Sequence, residues 1–103
     1  MTYKEKIQLI ANSGVSEIER GENLIRSMCN VIEEIMNYKY TYDHYGGDSE
    51  EVLKGKANAI KNATAVMVTD ADILMTVLGL SDAIIIKANN RVDKIVTRVY
   101  GGD

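Results

Sequence analysis

The sequence predicts an all-α fold in a single helical domain, residues 1–103, and three observations lead to this prediction. The chain contains no proline, so no residue in it forces a helix to break. Apolar side chains recur at helical spacing along two long stretches of the chain. Hydrophobic residues make up 46% of the chain and charged residues 26%, as in globular domains. We expect a short N-terminal helix, a long antiparallel helical hairpin (about 16–42 and 50–78) and a C-terminal helix.

The N-terminal helix is predicted over residues 3–12. Ile7, Leu9 and Ile10 give this segment an amphipathic pattern. Gly14 lies where such a helix would stop, so the segment is expected to form a short amphipathic helix.

The second helix is predicted to begin at Ser16 with a capping box. In this arrangement the Ser16 hydroxyl accepts a hydrogen bond from the amide of Glu19, while the Glu19 carboxylate accepts one from the amide of Ser16. Apolar residues then recur at helical spacing: Ile18, Leu24, Ile25, Met28, Ile32, Ile35 and Met36. The helix is expected to end between residues 40 and 45, because Gly46 and Gly47 would break it.

The third helix carries more apolar surface than one neighbouring helix can cover. Asp48 and Ser49 are expected to cap it, and Gly79 is expected to stop it in a left-handed conformation. One apolar stripe follows a heptad pattern: Leu53, Ala57, Ile60, Thr64, Met67, Ala71, Leu74 and Leu78. A second stripe lies beside it: Val52, Ala59, Ala63, Val66, Ile73 and Val77. We expect this helix to lie in the middle of a bundle or to pack against another copy of the protein.

The C-terminal segment permits two predictions. Its many β-branched residues and the pair Asn89-Asn90 could form a β-hairpin, which would make the protein α+β. A helix is the preferred alternative, because the apolar residues also match one helical face and Ser81 could cap it. The residues of that face are Ile85, Ala88, Val92, Ile95 and Val99.

Residues around Gly79 form a characteristic order of apolar, glycine and serine positions: Leu74, Met75, Leu78, Gly79, Leu80, Ser81 and Ile85. This order resembles the turn of the helix-turn-helix family of DNA-binding proteins, in which the glycine allows a tight turn and the second helix enters the major groove. The resemblance covers about twenty residues. It implies, as an alternative function, a DNA-binding transcriptional regulator that uses residues 71–91. The pattern departs from the family at Met75, where alanine is usual.

Four of the six tyrosines and the only histidine lie close together in a chain without Phe or Trp: Tyr38, Tyr40, Tyr42, His44 and Tyr45. Tyrosine offers a flat apolar face and a polar tip, and it is favoured at protein interfaces and where flat ligands stack. The cluster is therefore a candidate binding site for a ligand or a partner. Alternatively, Tyr38, Tyr42 and Tyr45 extend the apolar stripe of the second helix and pack at the end of the hairpin.

Positive charge is most concentrated near the C-terminus, at Lys87, Arg91, Lys94 and Arg98. These residues either form a solvated helix face or bind an anion. Arg91 and Arg98 can donate paired hydrogen bonds to a phosphate, and the tyrosines can stack on a ring. Together they provide what a small anionic aromatic ligand, such as a nucleotide, would need.

The sequence contains no motif that predicts catalysis, a metal or a cofactor. Cys29 and His44 could act as a nucleophile pair only if the fold brought them together. Asp70 and Asp72, two residues apart on a helix, point in different directions and do not predict a metal site. We therefore expect a protein that is not an enzyme.

Charge and cysteine content limit the expected partners and compartment. Fifteen acidic and twelve basic residues give a net charge of -3 without runs of like charge, so a nucleic-acid partner is not expected. Cys29 is the only cysteine, lies in an apolar repeat and is predicted to be buried. The sequence shows neither a signal peptide nor an apolar segment of membrane-spanning length, so we expect a cytoplasmic protein without a membrane partner.

Together these observations predict a small, non-enzymatic, self-associating helical binding protein. Its expected partners are copies of itself and either a small anionic ligand, which it would sequester, or another protein, which it would inhibit. Small, acidic, proline-free chains without motifs are common among phage and mobile-element accessory proteins, and this type is expected from size and composition alone.

Overall fold

The computed structural model describes residues 1–45 and 50–101. Four α-helices follow one another, and a π-helical turn (Thr97–Gly101) continues the last of them: α1 (Tyr3–Ala11), α2 (Glu17–Tyr45), α3 (Glu50–Val77) and α4 (Ser81–Val96). The described residues contain no strand, so the predicted all-α fold is confirmed. The predicted break and cap between the two long helices lie outside the described residues: Gly46, Gly47, Asp48 and Ser49.

The alternative prediction of a C-terminal β-hairpin is wrong. α4 passes through Asn89 and Asn90, where the hairpin turn was expected, without interruption. β-branched side chains lower helix propensity only slightly, whereas the apolar residues of this segment share one helical face and no proline interrupts it. The helical periodicity therefore decides the structure.

α1 begins with a capping box between Thr2 and Glu5. The amide of Glu5 donates to Thr2 Oγ1 at 3.1 Å, and the amide of Thr2 donates to Glu5 Oε1 at 3.3 Å. The sequence carries the Thr-x-x-Glu signal for this box, which we did not predict. The helix ends at Ala11, and Gly14 follows with a φ of +88°, in the left-handed region that glycine adopts readily.

The hairpin of α2 and α3 forms the body of the molecule. Among the described residues, α2 and α3 make the most extensive contact between helices, and two long helices that are close in sequence and packed along their length run antiparallel. The amide of Glu19 donates to Ser16 Oγ at 3.1 Å, which is the first of the two hydrogen bonds of the predicted capping box. α1 packs against α3. The buried side chains of the described residues are Ile7, Ser27, Val31, Thr41, Leu53 and Ile73.

The face of α2 that is buried is small and partly polar. The Ser27 hydroxyl donates to the carbonyl oxygens of Asn23 and Leu24 at 3.2 and 3.1 Å. The Thr41 hydroxyl donates to the carbonyl oxygen of Asn37 at 2.9 Å. Both hydroxyls are thus satisfied within their own helix, and their burial costs little.

The most apolar face of α2 points away from α3. We call this face the α2 outer stripe; it consists of Ile18, Ile25, Met28, Ile32, Ile35 and Met36. The exposed fractions of these side chains range from 46% to 74%. Cys29 lies beside the stripe and is exposed, so the prediction that it is buried is wrong. Helical periodicity identified the apolar face correctly, but that face is not the one that packs in a single chain.

The second apolar stripe of α3 is fully buried only at Ile73. Ile73 is buried in the half of α3 that α1 reaches, whereas Val52 and Val66 are exposed. The body of one chain therefore leaves apolar surface open on both long helices.

α3 ends in a Schellman motif, as predicted from Gly79. The amide of Leu80 donates to the Met75 carbonyl oxygen at 2.8 Å, and the amide of Gly79 donates to the Thr76 carbonyl oxygen at 3.1 Å. Gly79 has a φ of +71°. The predicted cap at Ser81 is wrong, because Leu80 occupies the N-cap position of α4 and Ser81 lies within the helix, with its Oγ 3.4 Å from Thr76 Oγ1.

α4 extends from this body with no buried residue. The radius of gyration is 17.5 Å, whereas a compact domain of this length has about 13 Å. The accessible surface of 7998 Å² exceeds by about 2,200 Å² the roughly 5,800 Å² expected for a monomer of this mass. A single copy of the chain is therefore more extended than a compact domain and exposes more surface than a compact monomer of its mass.

Substitution of two glycines by alanine should have opposite effects on stability. Gly79→Ala should lower the free energy of unfolding by about 1 kcal/mol, because alanine is strained at a positive φ. Gly55→Ala should raise it by about 0.5–1 kcal/mol, because Gly55 lies inside α3 with no atom near its added methyl group. Urea denaturation at one protein concentration measures both. Effects of equal sign would contradict the left-handed stop at Gly79.

Candidate functional site

The C-terminal end of α2 carries an exposed pair of stacked rings. The centroids of Tyr40 and His44 lie 3.9 Å apart, with 26° between the ring planes. His44 Nδ1 lies 3.0 Å from the carbonyl oxygen of Tyr40. A carbonyl oxygen only accepts, so this contact requires the proton of the imidazole to be on Nδ1. We call Tyr40 and His44 the aromatic shelf; it offers a flat, polar-edged surface, and Tyr40 is 61% exposed.

The remaining predicted tyrosines are arranged around this shelf without joining it. Tyr42 is exposed, and Tyr38 is half-buried on the same side of α2 as the buried Thr41. Tyr45 is the last residue of α2, and its side chain lies outside the described part of the chain. The exposure of Tyr42 disagrees with the interpretation that it packs at the end of the hairpin, whereas the half-burial of Tyr38 agrees with packing.

The predicted anion-binding residues lie on α4 and the turn that follows it. Lys87, Arg91, Lys94 and Arg98 form one exposed flank, which we call the basic row. Three of them, with Asn90 and Asp93, line an open surface hollow. These residues follow the C-terminal end of α3, whereas the aromatic shelf precedes its N-terminal end. An α-helix of 28 residues is about 42 Å long, so one chain does not bring the predicted tyrosines and arginines together.

A cleft of about 440 Å³ lies where α1 meets the end of α3 and the start of α4. Its polar lining includes Tyr3, Lys4, Asp72 and Asp82. Tyr3 Oη donates to Asp72 Oδ2 at 2.5 Å and so attaches α1 to α3. We did not predict a role for either residue, because they are 69 positions apart and no local signal connects them.

Cys29 and His44 lie on the same helix, fifteen residues apart. That spacing corresponds to about 22 Å along α2, so the two side chains do not form a nucleophile pair. Among the described residues, no three His, Cys, Asp or Glu side chains are placed to hold a metal ion.

Comparisons with protein-family models, with curated proteins and with solved structures found no match to this chain. None of the helices in the described ranges 1–45 and 50–101 is long and apolar enough to cross a membrane.

The Tyr3–Asp72 hydrogen bond should make stability depend on pH at the alkaline end. This bond, with desolvation and the charge of Asp72, raises the pKa of Tyr3 above its ordinary value of 10.0. The stabilisation is therefore complete below about pH 10 and is lost as the pH rises through the higher folded-state pKa. Thermal unfolding at about pH 8 and pH 11 measures the loss, which should be smaller in Tyr3→Phe than in the wild type.

The matched control for this measurement is Tyr100→Phe, because Tyr100 is 85% exposed and lies at the opposite end of the chain. It should show the same loss as the wild type. A loss in Tyr3→Phe as large as in the control would show that the Tyr3 hydrogen bond does not contribute.

Proposed function

We propose that this protein is a non-enzymatic binding protein that works as a homo-oligomer and sequesters a small, flat, anionic ligand, such as a nucleotide. The observation that carries the proposal is the uncovered apolar surface of the single chain. The α2 outer stripe and the apolar face of α4 are both open to water, although they are the most regular apolar patterns of their helices.

The area of this surface supports self-association. A monomer seldom exposes a contiguous apolar patch above about 600 Å². The total accessible surface of one chain, polar and apolar together, exceeds that of a compact monomer by about 2,200 Å², and a pair that buried this excess would have an interface of about 4,400 Å², within the range of obligate homodimers. The charge balance also permits it, because a net charge of -3 is small for a chain of 103 residues.

The aromatic shelf and the basic row support capture of an anionic aromatic ligand. Stacked, exposed rings provide a surface for a base or another flat group. Arg91 and Arg98 are exposed and can each donate two hydrogen bonds to one phosphate. Because the two groups are far apart in one chain, the ligand site of this proposal lies at a subunit junction. In a second form of the proposal, the aromatic shelf binds a partner protein instead of a small ligand, and this binding inhibits the partner.

The rival function is DNA binding through residues 71–91. The exposed Lys87 and Arg91, which follow the tight turn at Gly79, favour it. The exposed isoleucines of α4 disfavour it, because a recognition helix presents polar side chains to base edges. A salt-dependent mobility shift of duplex DNA that disappears in Lys87→Ala/Arg91→Ala would favour the rival; our proposal requires no such shift.

Light scattering after size exclusion should report an oligomer at micromolar concentration. Ile32→Glu in the α2 outer stripe and Ile95→Glu in α4 should each shift the mass toward that of a monomer, because each places a charge in a buried interface. Leu9→Glu is the matched control, since Leu9 is exposed on α1 and should leave the mass unchanged. A wild-type protein that is monomeric at this concentration would overturn the proposal.

Removal of the aromatic shelf should weaken ligand binding without loss of the fold. A fluorescent ATP analogue is the probe, and adenosine and inorganic phosphate are competitors that separate stacking from charge. Tyr40→Ala should weaken binding at least about tenfold, as expected for the loss of one stacking ring. Helical circular dichroism should stay unchanged, and Leu9→Ala should bind like the wild type. Equal binding by Tyr40→Ala and the wild type would exclude the shelf.

A further inference from the structure

Two unpartnered apolar stripes in this chain are comparable in length. The α2 outer stripe extends from Ile18 to Met36, about 27 Å along the helix. The apolar face of α4 and its π-helical turn, which we call the α4 stripe, extends from Ile85 to Val99 and would span about 21 Å. Each stripe is exposed to solvent, and the α4 stripe is long enough to cover most of the α2 outer stripe.

Charge favours contact between different stripes over contact between identical ones. α2 carries six acidic and three basic residues, whereas residues 81–101 carry two acidic and four basic ones. Contact of α2 with the α2 of another copy would bring two acidic helices together, and contact of two α4 helices would bring two basic ones together. Among the pairings of these two stripes, only that of α4 with α2 joins opposite charges.

We infer that the α2 outer stripe is covered by α4 of a second copy of this chain, that the two copies exchange these arms reciprocally, and that each exchange places Arg98 of one copy at the aromatic shelf of the other. This inference rests on the proposed self-association and ligand capture, and it names the surface and the site through which they occur.

The direction of the arm follows from the fold. α4 starts at the end of the hairpin where α2 begins, and it extends from its own body with no buried residue. In a two-fold pair whose hairpins meet at these ends, each arm crosses to the other copy at the start of its α2 and runs toward the end of that helix. The arm is therefore parallel to the α2 that it covers.

Heptad positions support the same direction. Counted along the sequence, Ile85 and Val99 share the heptad core position of Ile25 in α2, and Arg98 precedes Val99; Arg98 and Val99 themselves lie in the π-helical turn that continues α4. In a parallel pair, Arg98 faces the side of the neighbouring α2 that contains Asp43. In an antiparallel pair, Arg98 faces the other side of that helix. Asp43 is exposed, so the parallel arrangement allows it to pair with Arg98 of the second copy.

The same register assembles a divided ligand site. With Ile85 level with Ile25 of the second copy, Val99 comes level with Lys39, one residue before Tyr40. Arg98 then reaches the aromatic shelf of that copy. Stacking rings from one chain and a forked guanidinium from the other suit a flat ligand with a phosphate or carboxylate group.

Disulfide trapping tests the exchanged arm, because Cys29 is the only cysteine and lies exposed beside the α2 outer stripe. Ala88→Cys comes level with Met28 in the proposed register and should form a covalent dimer on mild oxidation. The dimer should disappear in Cys29→Ser/Ala88→Cys. Asn90→Cys is the control, since Asn90 lies on the opposite face of α4 and should trap little dimer.

Several results would overturn the exchanged arm. The first is that Ala88→Cys traps no dimer although light scattering shows an oligomer. The second is that the wild type, with Cys29 alone, forms a covalent dimer. The third is that Ala88→Cys forms its disulfide with Cys29 of the same chain. In the first two cases the proposed self-association stands and only the inferred surface fails. A monomeric wild type would instead remove the self-association itself.

Subunit mixing tests the divided site with the fluorescent ATP analogue. Tyr40→Ala and Arg98→Ala should each bind the analogue at least about tenfold more weakly than the wild type. After the two variants are unfolded and refolded together, random pairing should restore about a quarter of the wild-type sites, because half of the pairs then contain one intact site. No restoration would show that the site is not shared between the Tyr40 of one copy and the Arg98 of the other, and it would overturn the inference. If the wild type does not bind the analogue, the proposal that the ligand is a nucleotide is wrong. Disulfide trapping then still tests whether α4 is exchanged between the copies.

Discussion

The pairing of α2 with α3 is the contact on which the other features of this molecule depend. It buries Ser27, Val31 and Thr41 and directs the isoleucines and methionines of α2 into solvent. The hydroxyls of Ser27 and Thr41 are satisfied by carbonyl oxygens of their own helix, so this face can be buried without partners on α3. The more apolar face is left for another contact.

This choice of face explains why the chain is extended. The small buried face of α2 and the short α1 supply only a few buried apolar side chains, and α4 adds none. A domain of this size has a small free energy of unfolding. The exposed isoleucines along α2 and α4 do not increase it in a single chain. Burial of the α2 outer stripe against another surface would stabilise the protein by about 25 cal/mol per Å² of apolar surface removed from water.

The sequence predicted the elements well and their packing poorly, for physical reasons. Helical spacing and the absence of proline determine where the helices form, and Gly79 determines where α3 stops, because both are local properties. Which face of a helix is buried depends on contacts with other helices and not on local sequence. The apolar pattern around Cys29 therefore predicts burial, although this face of α2 is exposed. The Tyr3–Asp72 bond joins residues from opposite parts of the chain and has no sequence signal. The aromatic cluster was identified, but its stacked pair depends on the side-chain conformations of Tyr40 and His44.

A site divided between two copies would connect ligand capture to assembly. The shelf and Arg98 stand at opposite ends of one chain, so a ligand that contacts both binds the assembled form and not the free chain. By mass action such a ligand stabilises the assembly by RT ln(1 + [L]/Kd), which is about 2.7 kcal/mol at a hundredfold excess over Kd. The reverse also holds, since covering the α2 outer stripe brings the arginine to the shelf and raises the affinity for the ligand. A chain with too small a core to cover itself would in this way use the same contact for stability and for binding.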